Sequence, residues 1–426
     1  MTTSTFGDIG MLAERHGTPL VVYSEAVLLQ SVARLRAALP DSSSLAYSIK
    51  ANPNPSILRR LVGLGLMAEA ASAGELALAL NSGVSASMLL VGGPAKQRDA
   101  IEASARAGVA GVLVESVADL ARVRAASQEA AATLDVILRV NPARLSSTSA
   151  LRMGGLASPF GIDEELLPEV IRRCDGGSVR YAGLFLYAGS QHFSADDIVE
   201  NTRYLCRLCR RLCAEGFPAP RVLDFGGGFG VPEDASQPEL DLRSLRDGLD
   251  CVFSEEVEDL ARLGLERTIF ESGRYVVSRA GVYVTRVLDV KHSHGKAFAI
   301  LDGGVNNLGI RQMLYRTFEP ELEVWGREDG QSEPITIVGP TCTPIDVVHK
   351  EARLPRLRIG DLIVMRNFGA YTTSYSAVHF CGHPWPAEVL VTVGNNEQVL
   401  RRRGLLEEAC GLGYRNPMDS TGASDA

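Results

Sequence analysis

One lysine, one carboxylate–guanidinium pair and one run of glycines carry most of the chemical potential of this 426-residue chain. Lys50 ends an apolar run, Leu45-Ala-Tyr-Ser-Ile49, just before Asn52-Pro-Asn-Pro55 breaks the pattern, so it stands at a strand tip. An amine with apolar residues behind it loses its proton more readily than a solvated one, as carbonyl chemistry through a Schiff base requires. Taken alone, a lysine after a strand is an ordinary solvated loop charge. Glu271-Ser-Gly-Arg274 sets a carboxylate and a guanidinium three residues apart. Asp224-Phe-Gly-Gly-Gly-Phe-Gly230 offers bare backbone amides at Gly227 and Gly228 that suit a phosphate, although a glycine run is by itself more often a tight turn.

A carboxylate beside a phosphate repels it, so Glu271 needs a different partner. If a pyridine ring bears the phosphate, Glu271 pairs with the ring nitrogen and keeps it protonated, which makes the ring an electron sink. Lysine, phosphate-binding glycines with Gly273 and Arg274, and a ring-nitrogen acid together imply pyridoxal 5'-phosphate. Further residues are ambiguous singly. Arg139, in Ile137-Leu-Arg-Val-Asn-Pro142, supplies polar support to such a site or forms a structural ion pair. Tyr187, in Leu186-Tyr-Ala-Gly-Ser-Gln191, either lays its ring against the cofactor, with Ser190 on the phosphate, or fills a barrel. Ser72-Ala-Gly-Glu75 reads as a capping box.

Three later stretches complete the set. Gly339-Pro-Thr-Cys342-Thr343-Pro-Ile-Asp346 puts a cysteine in a loop bracketed by glycine and proline; Gly369-Ala-Tyr371 puts a tyrosine after an apolar run. Arg311 and Tyr315 stand four apart, on one face if that segment is helical, as a carboxylate clamp requires. Each also has a plain explanation: a buried thiol, a core phenol, a surface arginine.

The elements that position these residues follow from periodicity. Strand-like runs at 45–49, 66–71, 87–91, 109–114, 134–140, 181–187, 221–225 and 268–270 alternate with helical patterns at 55–64, 74–80, 117–132, 164–174, 195–215 and 240–263. Eight strands alternating with helices is the count of a (β/α)8 barrel, whose chemistry lies where the strands end. The glycine run and Glu271–Arg274 then follow strands seven and eight, where barrels commonly bind phosphate. After Arg274 the pattern turns to short β-rich runs at 275–290, 297–301, 321–325, 335–338, 361–365 and 387–393, giving a second, mostly antiparallel β-barrel or sandwich domain. The strand at 18–23 is a candidate to pair into it. The expected division is 31–275 for the barrel, 1–30 with 276–410 for the β domain, and a disordered tail at 411–426.

Composition narrows the class. With 46% hydrophobic and 22% charged residues the chain is that of a soluble globular protein, and a net charge of −8 argues against nucleic acid. No run approaches a membrane span or a signal peptide, so the cytoplasm is the default. The eight cysteines show no disulfide spacing; Cys206, Cys209 and Cys213 share a helical face and read as packed core thiols, with no metal assigned.

In order along about residues 18–395, Tyr47-Ser-Ile-Lys50-Ala-Asn52, Gly189-Ser-Gln191, Gly226-Gly-Gly-Phe-Gly230, Glu271-Ser-Gly-Arg274, Gly339-Pro-Thr-Cys342 and Gly369-Ala-Tyr371 resemble the motifs of the fold-type III pyridoxal-phosphate decarboxylases, the alanine-racemase-like barrel group with diaminopimelate and ornithine decarboxylases. The resemblance implies Lys50 as the Schiff-base residue, Gly228 and Arg274 near the phosphate, Glu271 at the ring nitrogen and Tyr371 beside the cofactor. It also implies a homodimer with shared active sites, in which Cys342 of the partner subunit protonates the carbanion after CO2 leaves. Arg311 and Tyr315 match diaminopimelate decarboxylases, placing them with Arg274, Thr343 and Tyr371 around the substrate.

Three positions depart from the pattern. Thr343 stands where those enzymes carry a glutamate, or ornithine-type enzymes an aspartate, that grips a distal ammonium. Tyr187 replaces the ring-stacking histidine, and Pro159-Phe-Gly161 replaces Lys-Phe-Gly. With Phe380-Cys-Gly-His-Pro-Trp-Pro386, these changes are more similar to the biosynthetic branch, whose members decarboxylate a glutamyl group on a carrier protein or a conjugated amino acid. Diaminopimelate decarboxylation, racemisation on the same cofactor and a silent pyridoxal-binding homologue are the alternatives.

Overall fold

The computed structural model describes residues 3–145, 151–152, 154–174, 176–234, 236–309, 319–327 and 332–404. The tail at 411–426 therefore lies outside the described residues. Two compact units emerge: residues 30–232 with 236–277, and residues 1–29 with 233–235 and 278–426.

The first unit is a barrel. After β1 (Leu20–Ser24), which belongs to the other unit, come β2 (Ser43–Ser48), β3 (Met67–Ala70), β4 (Leu89–Val91), β5 (Gly111–Val114), β6 (Leu134–Asn141), β7 (Val179–Leu186), β8 (Val222–Asp224) and β9 (Arg267–Ser272). Every neighbouring pair from β2 to β9 is parallel, and β9 closes on β2 through Thr268↔Ser43 to Ser272↔Tyr47. This is the (β/α)8 barrel read from the sequence. Its centre is filled by inward side chains from successive strands, among them Ala46, Met67, Leu90, Leu113, Ile137, Phe185 and Ile269, all buried. Each such aliphatic or aromatic group contributes about 1.5–3 kcal/mol of burial, so strand tips are anchored firmly.

Between strands, helices start where the sequence supplies a cap. Asn54, Ser72, Ser116 and Ser194 each accept a backbone N–H of the first turn of the helix that follows. Glu75 reaches back to the Ala71 amide at 2.8 Å, completing a capping-box-like arrangement and confirming the structural reading of Ser72–Glu75. The helix expected over 240–263 is interrupted: Leu242–Val252 passes through a π-turn at Phe253–Val257 into Glu258–Leu263. A helix at Arg98–Ala107 was not among the expected elements.

The second unit is a mixed sheet of β1, β10 (Gly281–Ser293), β11 (Lys296–Leu301), β12 (Leu322–Val324), β13 (Ser332–Val338), β14 (Val347–Pro355), β15 (Leu362–Met365), β16 (Ala387–Val391) and β17 (Glu397–Arg401). Its main path runs β14-β13-β11-β10-β1-β16-β17, with β15 on β10 and β12 on β15. Most pairings are antiparallel; β1–β16 and β11–β13 are parallel. The N-terminal strand does join this sheet, antiparallel to β10 and parallel to β16. The run expected from Tyr275 begins later, because Arg274–Val277 forms a helical turn before β10.

Candidate active site

Lys50 sits in a single helical turn, Ile49–Ala51, directly after β2. The buried Tyr47 hydroxyl donates to the Asn52 carbonyl at 2.9 Å, and the Asn52 amide donates to the Ile49 carbonyl at 3.0 Å, so the turn is closed from both sides. The amine is not in an apolar pocket, which corrects the expectation drawn from the run behind it. Its Nζ donates to Glu69 Oε2 at 2.8 Å; the lysine side chain is 46% exposed, whereas that of Glu69, on β3, is 4% exposed.

The glycine run lies between two other loops. A Cβ on Gly227 would stand 2.2 Å from the Glu271 carbonyl oxygen, and one on Gly228, at φ +95°, 2.2 Å from the Gly189 carbonyl oxygen. Only glycine permits this approach. The loop after β7 is stapled to the run: His192 donates its amide to Gly228 at 2.8 Å, and the Gly230 amide returns a bond to His192 at 2.9 Å. Gln191 clamps Val231 with both ends of its amide, at 2.8 and 2.9 Å. Ser190 is part of the same loop, paired with Leu151–Arg152. Gly273 packs on the lysine turn, since a Cβ there would come 2.7 Å from Cβ of Ala51. Arg274 is buried one residue later.

Glu271 is buried on β9, and no cation pairs with it among the described residues. Burial, then the Asp224 carboxyl, then Glu69 push its acid well above the ordinary range. Arg139 on β6 forms the structural ion pair that its sequence context allowed. It pairs with buried Glu115 at 3.0 Å, and its guanidinium lies 4.9 Å from the Phe160 ring centroid, 5.5 Å from Phe185 and 5.9 Å from Tyr187. The Gly161 amide also donates to Glu115, so Pro159-Phe-Gly161 serves as a floor for this ion pair. His192 is buried with neither ring nitrogen bonded among the described residues, and burial holds its pKa below the ordinary value.

In the sheet unit, the Cys342 loop is built on Asp346. That buried carboxylate accepts from the Val305 amide at 2.7 Å, the Thr341 amide at 2.8 Å and the Thr341 hydroxyl at 2.5 Å. Cys342 is exposed, not a buried thiol, and Thr343 follows it half-buried. Tyr371 adopts φ +53°, a left-handed backbone that an ordinary side chain avoids. Arg311 and Tyr315 lie outside the described residues. The thiols of Cys206 and Cys209 are buried, and burial raises that of Cys206 to about 12.

Sequence reasoning missed Glu69, Glu115, Asp224, His192 and Asp346. The signal for the first three was a lone acid inside or at the end of an apolar strand run. For a pyridine phosphate the barrel residues are a fitting set: an amine able to tether it, a cradle free of Cβ atoms, a buried guanidinium and a buried acid that no cation pairs among the described residues.

The family model described as "Pyridoxal-dependent decarboxylase, pyridoxal binding domain" matches residues 26–278, and that described as "Pyridoxal-dependent decarboxylase, C-terminal sheet domain" matches residues 244–369. Among curated proteins, the L-glutamyl-[BtrI acyl-carrier protein] decarboxylase of Niallia circulans is 34% identical, over 94% of this chain and 95% of its own. A diaminopimelate decarboxylase of Neisseria meningitidis is 32% identical, over 93% and 95%. The crystal structure of diaminopimelate decarboxylase from Helicobacter pylori complexed with L-lysine superposes with a TM-score of 0.86 at 27% identity, covering 95% of this chain and 99% of that one. No described helix is long and apolar enough to cross a membrane.

Proposed function

The chain belongs to the pyridoxal-dependent decarboxylases, a family of carboxy-lyases, and from that premise we propose that it removes the α-carboxyl of an amino acid whose far end is tethered to a carrier protein or conjugated to another acid. The observation that carries this reading is Thr343 directly after the exposed Cys342. A free diamino acid would present an ammonium here and meet Thr343 in place of a carboxylate, forgoing a charge-assisted hydrogen bond of roughly 1.5–3 kcal/mol. A tethered or conjugated chain end brings no such charge. The carrier-protein decarboxylase among the relatives supports the same choice.

Bound pyridoxal 5'-phosphate supplies the electron sink for breaking the bond to CO2. Lys50 would hold the cofactor through its amine. The amides of Gly227, Gly228 and Gly273, with Ser190 and Arg274, would hold its phosphate, and Glu271 would keep the proton on its ring nitrogen. Tyr187 would supply an aromatic face to the ring, with Arg139, fixed by Glu115, 5.9 Å from the Tyr187 ring centroid. Two chains associate as a homodimer: Cys342 of the partner subunit returns the proton to the α-carbon, while Tyr371 and Thr343, with Arg311, Tyr315 and Arg274, frame the substrate.

The test is CO2 release from a glutamyl-loaded carrier protein or a conjugated glutamate, beside meso-diaminopimelate. Release from the former and none from the latter supports the proposal; lysine formation from meso-diaminopimelate at the faster rate overturns it in favour of diaminopimelate decarboxylation. Lys50→Ala should abolish the visible absorbance of the bound cofactor and turnover together.

A further inference from the structure

Two acids meet in the barrel where one would serve the ring nitrogen. Asp224 ends β8 and Glu271 stands on the adjacent β9, both fully buried. A single turn ties them: the Gly226 amide donates to Asp224 Oδ1 at 2.8 Å, and the Glu271 amide donates to the Gly226 carbonyl at 2.7 Å. One oxygen of each, Asp224 Oδ2 and Glu271 Oε1, is buried without a partner among the described residues. The charged groups around them are Glu69 from β3, Lys50 after β2 and Arg139 from β6. Lys50 is paired with Glu69 and Arg139 with Glu115, and neither forms an ion pair with the two acids.

Two buried carboxylates this close repel each other strongly, whereas one proton between them satisfies both orphaned oxygens. We infer that Asp224 and Glu271 share one proton and act as a single anion, with Asp224 a neutral hydrogen-bond donor that fixes Glu271 and leaves its other oxygen for the ring nitrogen. One negative charge then faces one protonated ring. Burial raises both acids, Asp224 to about 7 and Glu271 well above its ordinary value, the direction a shared proton demands. Asp224 is on this account a positioning residue. The inference rests on the reading of Glu271 as the ring-nitrogen acid.

Asp224→Asn is the discriminating variant, because an asparagine amide can accept from Gly226 and donate to Glu271 just as a protonated aspartate does. Affinity for pyridoxal 5'-phosphate, measured by titration of the cofactor-free protein, should stay within about threefold in Asp224→Asn and fall by about tenfold or more in Asp224→Ala. Infrared spectra of cofactor-free protein should show a protonated-carboxyl band that both Asp224→Asn and Glu271→Gln remove. Equal damage from Asn and Ala, or absence of that band in the unsubstituted protein, overturns the shared proton. Glu271→Gln separates the two ideas: full cofactor affinity and turnover in that variant sinks the role of Glu271, while the infrared band still decides the proton.

Discussion

Lys50 and Glu69 meet across neighbouring strand tips with Nζ 2.8 Å from Oε2, the carboxylate buried and the amine reaching out over it. The acid sits buried on a strand, so Glu69 gives the half-exposed amine a fixed partner.

Glu69→Gln keeps the shape and removes the charge. Losing a charge-assisted hydrogen bond of about 1.5 kcal/mol should slow covalent capture of pyridoxal 5'-phosphate by roughly tenfold, read as the growth of visible absorbance in stopped flow. An unchanged rate would show that Lys50 is positioned by its own turn alone.

If two chains share their active sites as proposed, mixing variants reveals it. Lys50→Ala and Cys342→Ala should each be inactive; equimolar mixtures, after exchange of subunits, should recover about a quarter of the unsubstituted activity, because half the dimers are mixed and each has one intact site. The exposed Cys342 side chain makes few packing demands, so Cys342→Ala should alter thermal stability by less than about 0.5 kcal/mol. Inactivity without recovery on mixing would place both residues in one subunit's site.

Glu115→Ala strands the Arg139 guanidinium among Phe160, Phe185 and Tyr187 with no anion. Breaking a buried pair from one side costs about 3–5 kcal/mol, so the melting temperature should fall by many degrees, whereas Glu115→Ala with Arg139→Met should recover part of the loss. Differential scanning calorimetry separates these outcomes.

Burial keeps His192 below its ordinary pKa, so the unfolded chain binds a proton there that the folded chain does not. Stability should therefore fall as pH drops below about 6.5, with a slope of up to about 1.4 kcal/mol per pH unit from this residue. The raised acids Asp224 and Glu271 act in the opposite sense, holding a proton in the folded state and losing that advantage as pH climbs toward 7. Comparing the unsubstituted protein with His192→Phe at each pH cancels their contribution; denaturant midpoints that track each other from pH 7 to pH 5 would refute the role given to His192.

The barrel was legible because its strands are mostly buried on both faces and so read as largely apolar runs between turn residues. The sheet unit was less so. β14 carries His349-Lys-Glu-Ala-Arg353 and β17 is Glu397-Gln-Val-Leu-Arg401; both are edge strands with solvent on one side, and their polarity hid them. The Arg98–Ala107 helix was hidden by small residues, Ala and Ser, that pack closely without a strong apolar stripe. Lys50, Glu271, Arg274 and the glycines announced themselves by type and spacing. Their supports did not, because Glu69, Glu115 and Asp224 become partners only when successive strands, separated in the chain by a helix, are laid side by side.

β1 lies in the sheet between β10 and β16, so both of its hydrogen-bonding edges are taken by segments more than 250 residues downstream. On the ribosome the barrel sequence emerges in between and can complete its own ring, while Leu20–Ser24 waits as an uncapped template, open to wrong pairing until Ala387–Val391 has been made.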